Sequence, residues 1–86
     1  MNDKRLFSSF TSYIEPQHKP AILQKIKELR RKHSYSQQEV AELLNMGQNT
    51  YSDMESGKTK LDIERLYQIA GLYKVHLNVF LGAPPR

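Results

Sequence analysis

Cysteine is absent from the 86 residues, which removes disulfide frameworks, thiolate zinc sites, iron–sulfur ligation and cysteine nucleophiles together. No apolar run approaches the roughly 18 to 20 residues that cross a bilayer, and the N-terminus has no continuous apolar stretch of the kind a signal peptide needs. A cytoplasmic location is therefore expected. His18, His33 and His76 share no metal-ligand spacing, and neither a glycine-rich phosphate loop nor a nucleophile elbow occurs. These absences argue against an enzyme and point to no metal and no cofactor. Internal repeats, low-complexity tracts and Gly/Ser linkers are missing as well. What remains is a 10.0 kDa chain with 38% hydrophobic and 26% charged residues and a mean hydropathy of −0.67. That composition suits one small folded domain, whose stability has to come from packing.

Charge is unevenly placed. The 13 Lys and Arg outnumber the 9 Asp and Glu, for a net charge of +4 and a pI near 9.5. Between Lys19 and Lys32 stand Lys19, Lys25, Lys27, Arg30, Arg31 and Lys32 against Glu28 alone, whereas the stretch from Gln37 to Glu55 has no Lys or Arg. A basic run is often only a solvated helix face, but it also favours a polyanionic partner.

Proline and glycine divide the rest into short helical segments. Leu6, Phe7, Phe10, Tyr13 and Ile14 make an amphipathic stripe that Asp3 caps and Pro16 closes, an accessory helix. Pro20 suits the first turn of a second helix that buries Ile22, Ile26 and Leu29 and turns Lys25, Arg31 and Lys32 outward. Ser36 with Glu39 is a capping box, and Val40, Ala41, Leu43 and Leu44 supply the apolar side of the helix it opens, which ends at Asn45. After Asn45-Met46-Gly47 a further helix runs to Gly57 with Tyr51 and Met54 inward. Asp62 caps another, bearing Ile63, Leu66, Tyr67, Ile69, Ala70 and Tyr73, and a last turn carries Val75, Leu77, Phe80 and Leu81. The expected fold class is all-α, divided into residues 1–19 (accessory helix and connector), 20–82 (core domain) and 83–86 (short tail).

Two short helices joined by about three residues form the geometry that puts one helix into a DNA major groove while the other braces across the backbone. On the second of them, Tyr51 and Met54 define the inner face, leaving Asn49, Ser52, Asp53 and Ser56 outward and Gln48 at the leading tip. Asn and Gln amides pair bidentately with adenine N6 and N7, so Gln48, Asn49, Ser52 and Asp53 are the candidate base readers. Solvated polar residues would look the same. Gln37 lies where free N–H groups and the positive end of a helix dipole favour phosphate. Thr50 and the Lys58-Thr59-Lys60 loop are further candidates for the DNA backbone.

The stretch IKELRRKHSYSQQEVAELLNMGQNTYSDMESGKTK with the following LDIERLYQIAGLYKVHLNVFL resembles the lambdoid-repressor and Xre (Cro/C1-type) family of helix-turn-helix proteins. Leu29-Arg30, Ser36-Gln37, Val40-Ala41, Glu55-Ser56-Gly57-Lys58, Ile69-Ala70, Tyr73 and Val75 carry the likeness. It implies a five-helix lambda-repressor-like domain, here with an added N-terminal helix, acting on double-stranded DNA as a sequence-specific transcriptional repressor and homodimer. By the same resemblance Gln37 touches the DNA backbone, Arg30 pairs with Glu55, and Val79 and Phe80 lie where related proteins dimerise. The sequence departs from the pattern at Gly47, where Ser or Thr is usual, and at Ser34 and Lys74, where a left-handed Gly is common. Asp53 stands where neutral or basic groups are frequent, and could accept from cytosine N4 or repel phosphate. A second reading stays open: the same bundle as a protein-interaction module, such as an antitoxin that binds a toxin.

Overall fold

The computed structural model describes residues 18–81, and among them every regular element is helical: α1 (Lys19–Lys32), α2 (Gln37–Leu43), α3 (Gln48–Ser56), α4 (Ile63–Tyr73) and α5 (Asn78–Leu81). The accessory helix expected over Leu6 to Ile14 and the tail 83–86 lie outside the described residues. This is the all-α, five-helix architecture of the lambda-repressor type.

Helix starts follow local chemistry. Pro20 sits in the first turn of α1, where its missing N–H leaves no bond unmade. In α2 the Ser36 hydroxyl accepts from the Glu39 N–H at 3.0 Å, while the Glu39 carboxylate accepts from the Ser36 N–H at 2.7 Å, a complete capping box. The Asp62 carboxylate accepts from the Arg65 N–H at 2.8 Å to open α4. Gly47 caps α3 with extended backbone and no side-chain acceptor.

Helix ends follow one pattern. After α1, α2, α3 and α4 a left-handed residue (Ser34, Asn45, Gly57 and Lys74) is fixed by paired back-bonds, for example Met46 N–H to Ala41 carbonyl at 2.9 Å and Val75 N–H to Ala70 carbonyl at 3.0 Å. Ser34 and Lys74 thus hold the left-handed backbone that favours glycine, at φ of 59° and 56°. Left-handed backbone costs a Cβ-bearing residue roughly 1 kcal/mol, partly offset by glycine's greater freedom when unfolded. Ser34→Gly and Lys74→Gly are each expected to stabilise the fold by about 0.5 kcal/mol, seen as a small rise in Tm. A fall in Tm for either would contradict the strain.

The core gathers Ile22, Leu23, Ile26, Leu29, Val40, Ala41, Tyr51, Met54, Leu61, Leu66, Ile69, Ala70, Tyr73 and Phe80. α5 packs back on α1, and α3 on both α1 and α2. Periodicity assigned most of these positions, with corrections at the margins of each stripe. Leu43 and Tyr67, expected on apolar faces, are 54% and 68% exposed, while Leu23 and Leu61 are buried. An apolar stripe spans more of the helix than one neighbour covers, so its flank stays wet. Phe80, expected as a contact between copies, is only 2% exposed because α5 folds it into its own core; Val79 and Leu81 remain exposed.

Candidate nucleic-acid interface

Helices α2 and α3 meet across the turn Leu44-Asn45-Met46-Gly47. The turn can be short because Asn45 takes the left-handed conformation and the Met46 N–H closes back on α2. On α3, Tyr51, Met54 and Glu55 are buried, so the opposite side faces solvent. Gln48, Asn49 and Thr50 are exposed at its N-terminal tip; Ser52 and Asp53 are half-buried; Ser56 is exposed. The candidate base readers therefore divide into a fully presented pair, Gln48 and Asn49, and a more recessed pair, Ser52 and Asp53.

Beneath that surface Glu55 anchors α3. It is 2% exposed, and both carboxylate oxygens are filled. Its Oε1 accepts from Gln37 Nε2 at 2.8 Å and Arg30 Nη2 at 3.1 Å, and its Oε2 from Arg30 Nε at 2.8 Å and the Tyr51 hydroxyl at 2.6 Å. Arg30 also donates from Nη1 to the Tyr35 carbonyl at 3.0 Å. Burial pushes the Glu55 carboxyl up, but the bonds from Arg30, Tyr51 and Gln37 together outweigh it and hold the group below the usual carboxylate range. The bond to Glu55 raises the Arg30 guanidinium against the opposing effect of burial. The Tyr51 hydroxyl is pushed up by burial and by its bond to the same carboxylate. This ionic knot ties the start of α2, the end of α3 and the last turn of α1 into one unit, as a fully hydrogen-bonded buried charge pair can. Beside it Tyr73, pushed up to about 12 chiefly by burial, tilts against His33 with ring centroids 4.9 Å apart.

Arg30 and Glu55, expected to pair, are in contact. Gln37 has a partner that the sequence did not suggest: one Nε2 N–H is committed to Glu55, and an amide nitrogen has two. The Tyr51 hydroxyl is likewise beyond the sequence reading, because an inward tyrosine reads as apolar volume; its place four residues before Glu55, one helical turn away, is the available signal.

The Gly57-Lys58-Thr59-Lys60 loop leaves α3 with Lys58, Thr59 and Lys60 exposed. Its first turn is closed by the Lys58 N–H on the Asp53 carbonyl at 2.8 Å. From α1, Lys19 Nζ donates to the Thr59 carbonyl at 2.9 Å and, more weakly, to the Gly57 carbonyl at 3.4 Å. Among the described residues no group of three or more His, Asp and Glu side chains is placed to hold a metal ion, and no helix is long and apolar enough to cross a membrane.

A family model described as "Helix-turn-helix" matches residues 26–80. The chain is similar to the HTH-type transcriptional regulator ImmR of Bacillus subtilis (strain 168), 38% identical over 58 residues that make up 67% of this chain and 46% of that one. It is also similar to the HTH-type transcriptional regulator AnsR of the same organism, 35% identical over 60 residues, 70% of this chain and 52% of that one. The chain thus spans about half the length of the curated relatives it matches. Among solved structures, a transcriptional regulator from Listeria innocua superposes with a TM-score of 0.63 at 28% identity, covering 76% of this chain and 61% of that one.

Proposed function

Since the chain belongs to the Xre-type helix-turn-helix family, we propose that it binds duplex DNA sequence-specifically and acts as a transcriptional repressor, with α3 in the major groove. The observation that carries this reading is the exposure of Gln48, Asn49 and Thr50 at the tip of a helix whose inner side is locked by the Glu55 knot. Amides held on a rigid helix end have the chemistry and the preorganisation that base-edge recognition requires. Gln48 and Asn49 are the primary readers, with Ser52 and Asp53 behind them. Gln37, Thr50, Lys58, Thr59 and Lys60 serve the phosphates, Gln37 with the amide hydrogen that Glu55 does not use.

One such module makes few contacts, so the active form is a homodimer that spans two half-sites about 34 to 36 Å apart. Val79 and Leu81, both exposed, supply apolar surface for the second copy, whereas the buried Phe80 does not. The site of action is the cytoplasm.

Affinity for a selected duplex is expected to fall on the order of 10³-fold between 50 and 200 mM salt if about six phosphates are neutralised. Filter binding or anisotropy over a salt series, with sedimentation of the complex, checks both the salt dependence and the dimer. Binding indifferent to salt, or no binding accompanied by a co-purified acidic protein, would replace this reading with that of an interaction module of the antitoxin kind.

A further inference from the structure

Lys19 stands at the electrostatically unfavourable end of its own helix. The first turn of α1 contains no acidic residue to balance it, and a cation there opposes the helix dipole. The last turn of α3 has the complementary lack, with no basic residue to meet its negative end. The Lys19 ammonium crosses between the two: it donates to the Thr59 carbonyl at 2.9 Å and to the Gly57 carbonyl at 3.4 Å, just beyond the end of α3. One turn further along α1, Leu23 packs on the same loop, since a Cβ on Gly57 would lie 3.3 Å from Leu23 Cδ1. Lys19 and Leu23 therefore hold the Gly57 to Thr59 backbone at two points, one by charge-assisted hydrogen bonds and one apolar.

We infer that Lys19 is a positioning residue for DNA binding: it clamps the loop that presents Lys58 and Lys60 and does not itself neutralise a phosphate. The inference rests on the DNA-binding reading above. A loop fixed before binding presents its cations without paying for their ordering on the duplex, so the clamp raises affinity for every sequence alike. By drawing two carbonyls toward α1 it also fixes which side of the loop those carbonyls occupy. Its charge is already engaged by backbone oxygen.

Lys19→Ala, Lys19→Arg and Lys27→Ala, made in the full chain, test this in two measurements. In the DNA-free protein, amide hydrogen exchange at Gly57 and Lys58, whose N–H groups bond to Met54 and Asp53, is expected to quicken in Lys19→Ala. It should stay at the native rate in Lys27→Ala and return toward it in Lys19→Arg. With a selected duplex and a mixed-sequence duplex over a salt series, Lys19→Ala is expected to weaken binding to both by roughly three- to tenfold, about the net strength of one ordinary hydrogen bond. The slope of log affinity against log salt should not change. A slope reduced by about one would make Lys19 a phosphate contact and overturn the positioning role. Unchanged exchange in Lys19→Ala would overturn the clamp. Quickened exchange in a protein whose native form binds neither duplex would remove the DNA-binding reading and the positioning role with it, while leaving the clamp as a feature of the loop alone.

Discussion

Arg30→Ala is expected to cost about 3 kcal/mol of stability, the lower end of what breaking a buried ion pair costs, because Gln37 and Tyr51 continue to solvate Glu55. For a domain of this size that is a drop in Tm on the order of 10 to 20 °C. Arg31→Ala, one residue along and exposed, should change Tm by no more than a few degrees. The contrast has a pH signature. Glu55 titrates below the usual carboxylate range in the folded chain, so its contribution is fully present above the unfolded value near 4.3 and is lost as pH falls through the lower folded value. In Arg30→Ala the main opposition to burial is gone, the folded value rises, and protonating Glu55 in acid relieves the variant. The Tm gap between native protein and Arg30→Ala is therefore expected to be widest near neutral pH and to close as pH falls below about 4. Equal melting of the Arg30 and Arg31 variants at neutral pH would deny the knot its structural role. A gap that widened in acid would mean that Glu55 is not the group left stranded.

Gln48→Ala and Asn49→Ala should each weaken binding to a selected operator by about 1 to 3 kcal/mol, roughly five- to 150-fold, and change binding to scrambled DNA far less. Both side chains are exposed at the tip of α3 and absent from its buried face, so neither truncation should unfold the protein. Lys58→Ala and Lys60→Ala are expected to behave in the opposite way. Each should weaken binding to both duplexes alike, with the salt slope reduced by about one for every phosphate contact removed. Titrating the four variants against the two duplexes over a salt series separates reading from positioning. Equal losses on operator and scrambled duplex for the amide variants would remove α3 as the reader and favour a protein partner for this surface.

Much of this molecule is written within four or five residues at a time. Ser36 with Glu39 and Asp62 with the Arg65 N–H are contacts inside a single turn, so the residue types suffice to start those helices in the right place. Asn45 and Gly57 ended theirs for the same reason: their tolerance of left-handed backbone is a property of the residue itself. The pair Arg30 and Glu55 is legible only through family resemblance, since nothing in the spacing of two residues 25 positions apart joins them.

The tertiary structure decided what each surface meets. Leu43, Tyr67 and Phe80 all stand on apolar helical stripes, yet two are exposed and the third, expected to face a second copy, lies in the core. Period alone gives the direction of a stripe and leaves open how much of its width a neighbour covers. Gln37 to Glu55 spans 18 residues and Lys19 to Thr59 spans 40. In each case one long polar side chain chooses among carboxylates and carbonyls that become neighbours only after the helices have packed. Within residues 18–81 the helices, most of their caps and the exposure of the amide-bearing tip of α3 follow from residue type alone, because those depend on local backbone preference and on the burial of one face. Packing determined how that tip is held, because a buried carboxylate takes whichever donors the fold brings within about 3 Å, and separation along the chain carries no record of that distance.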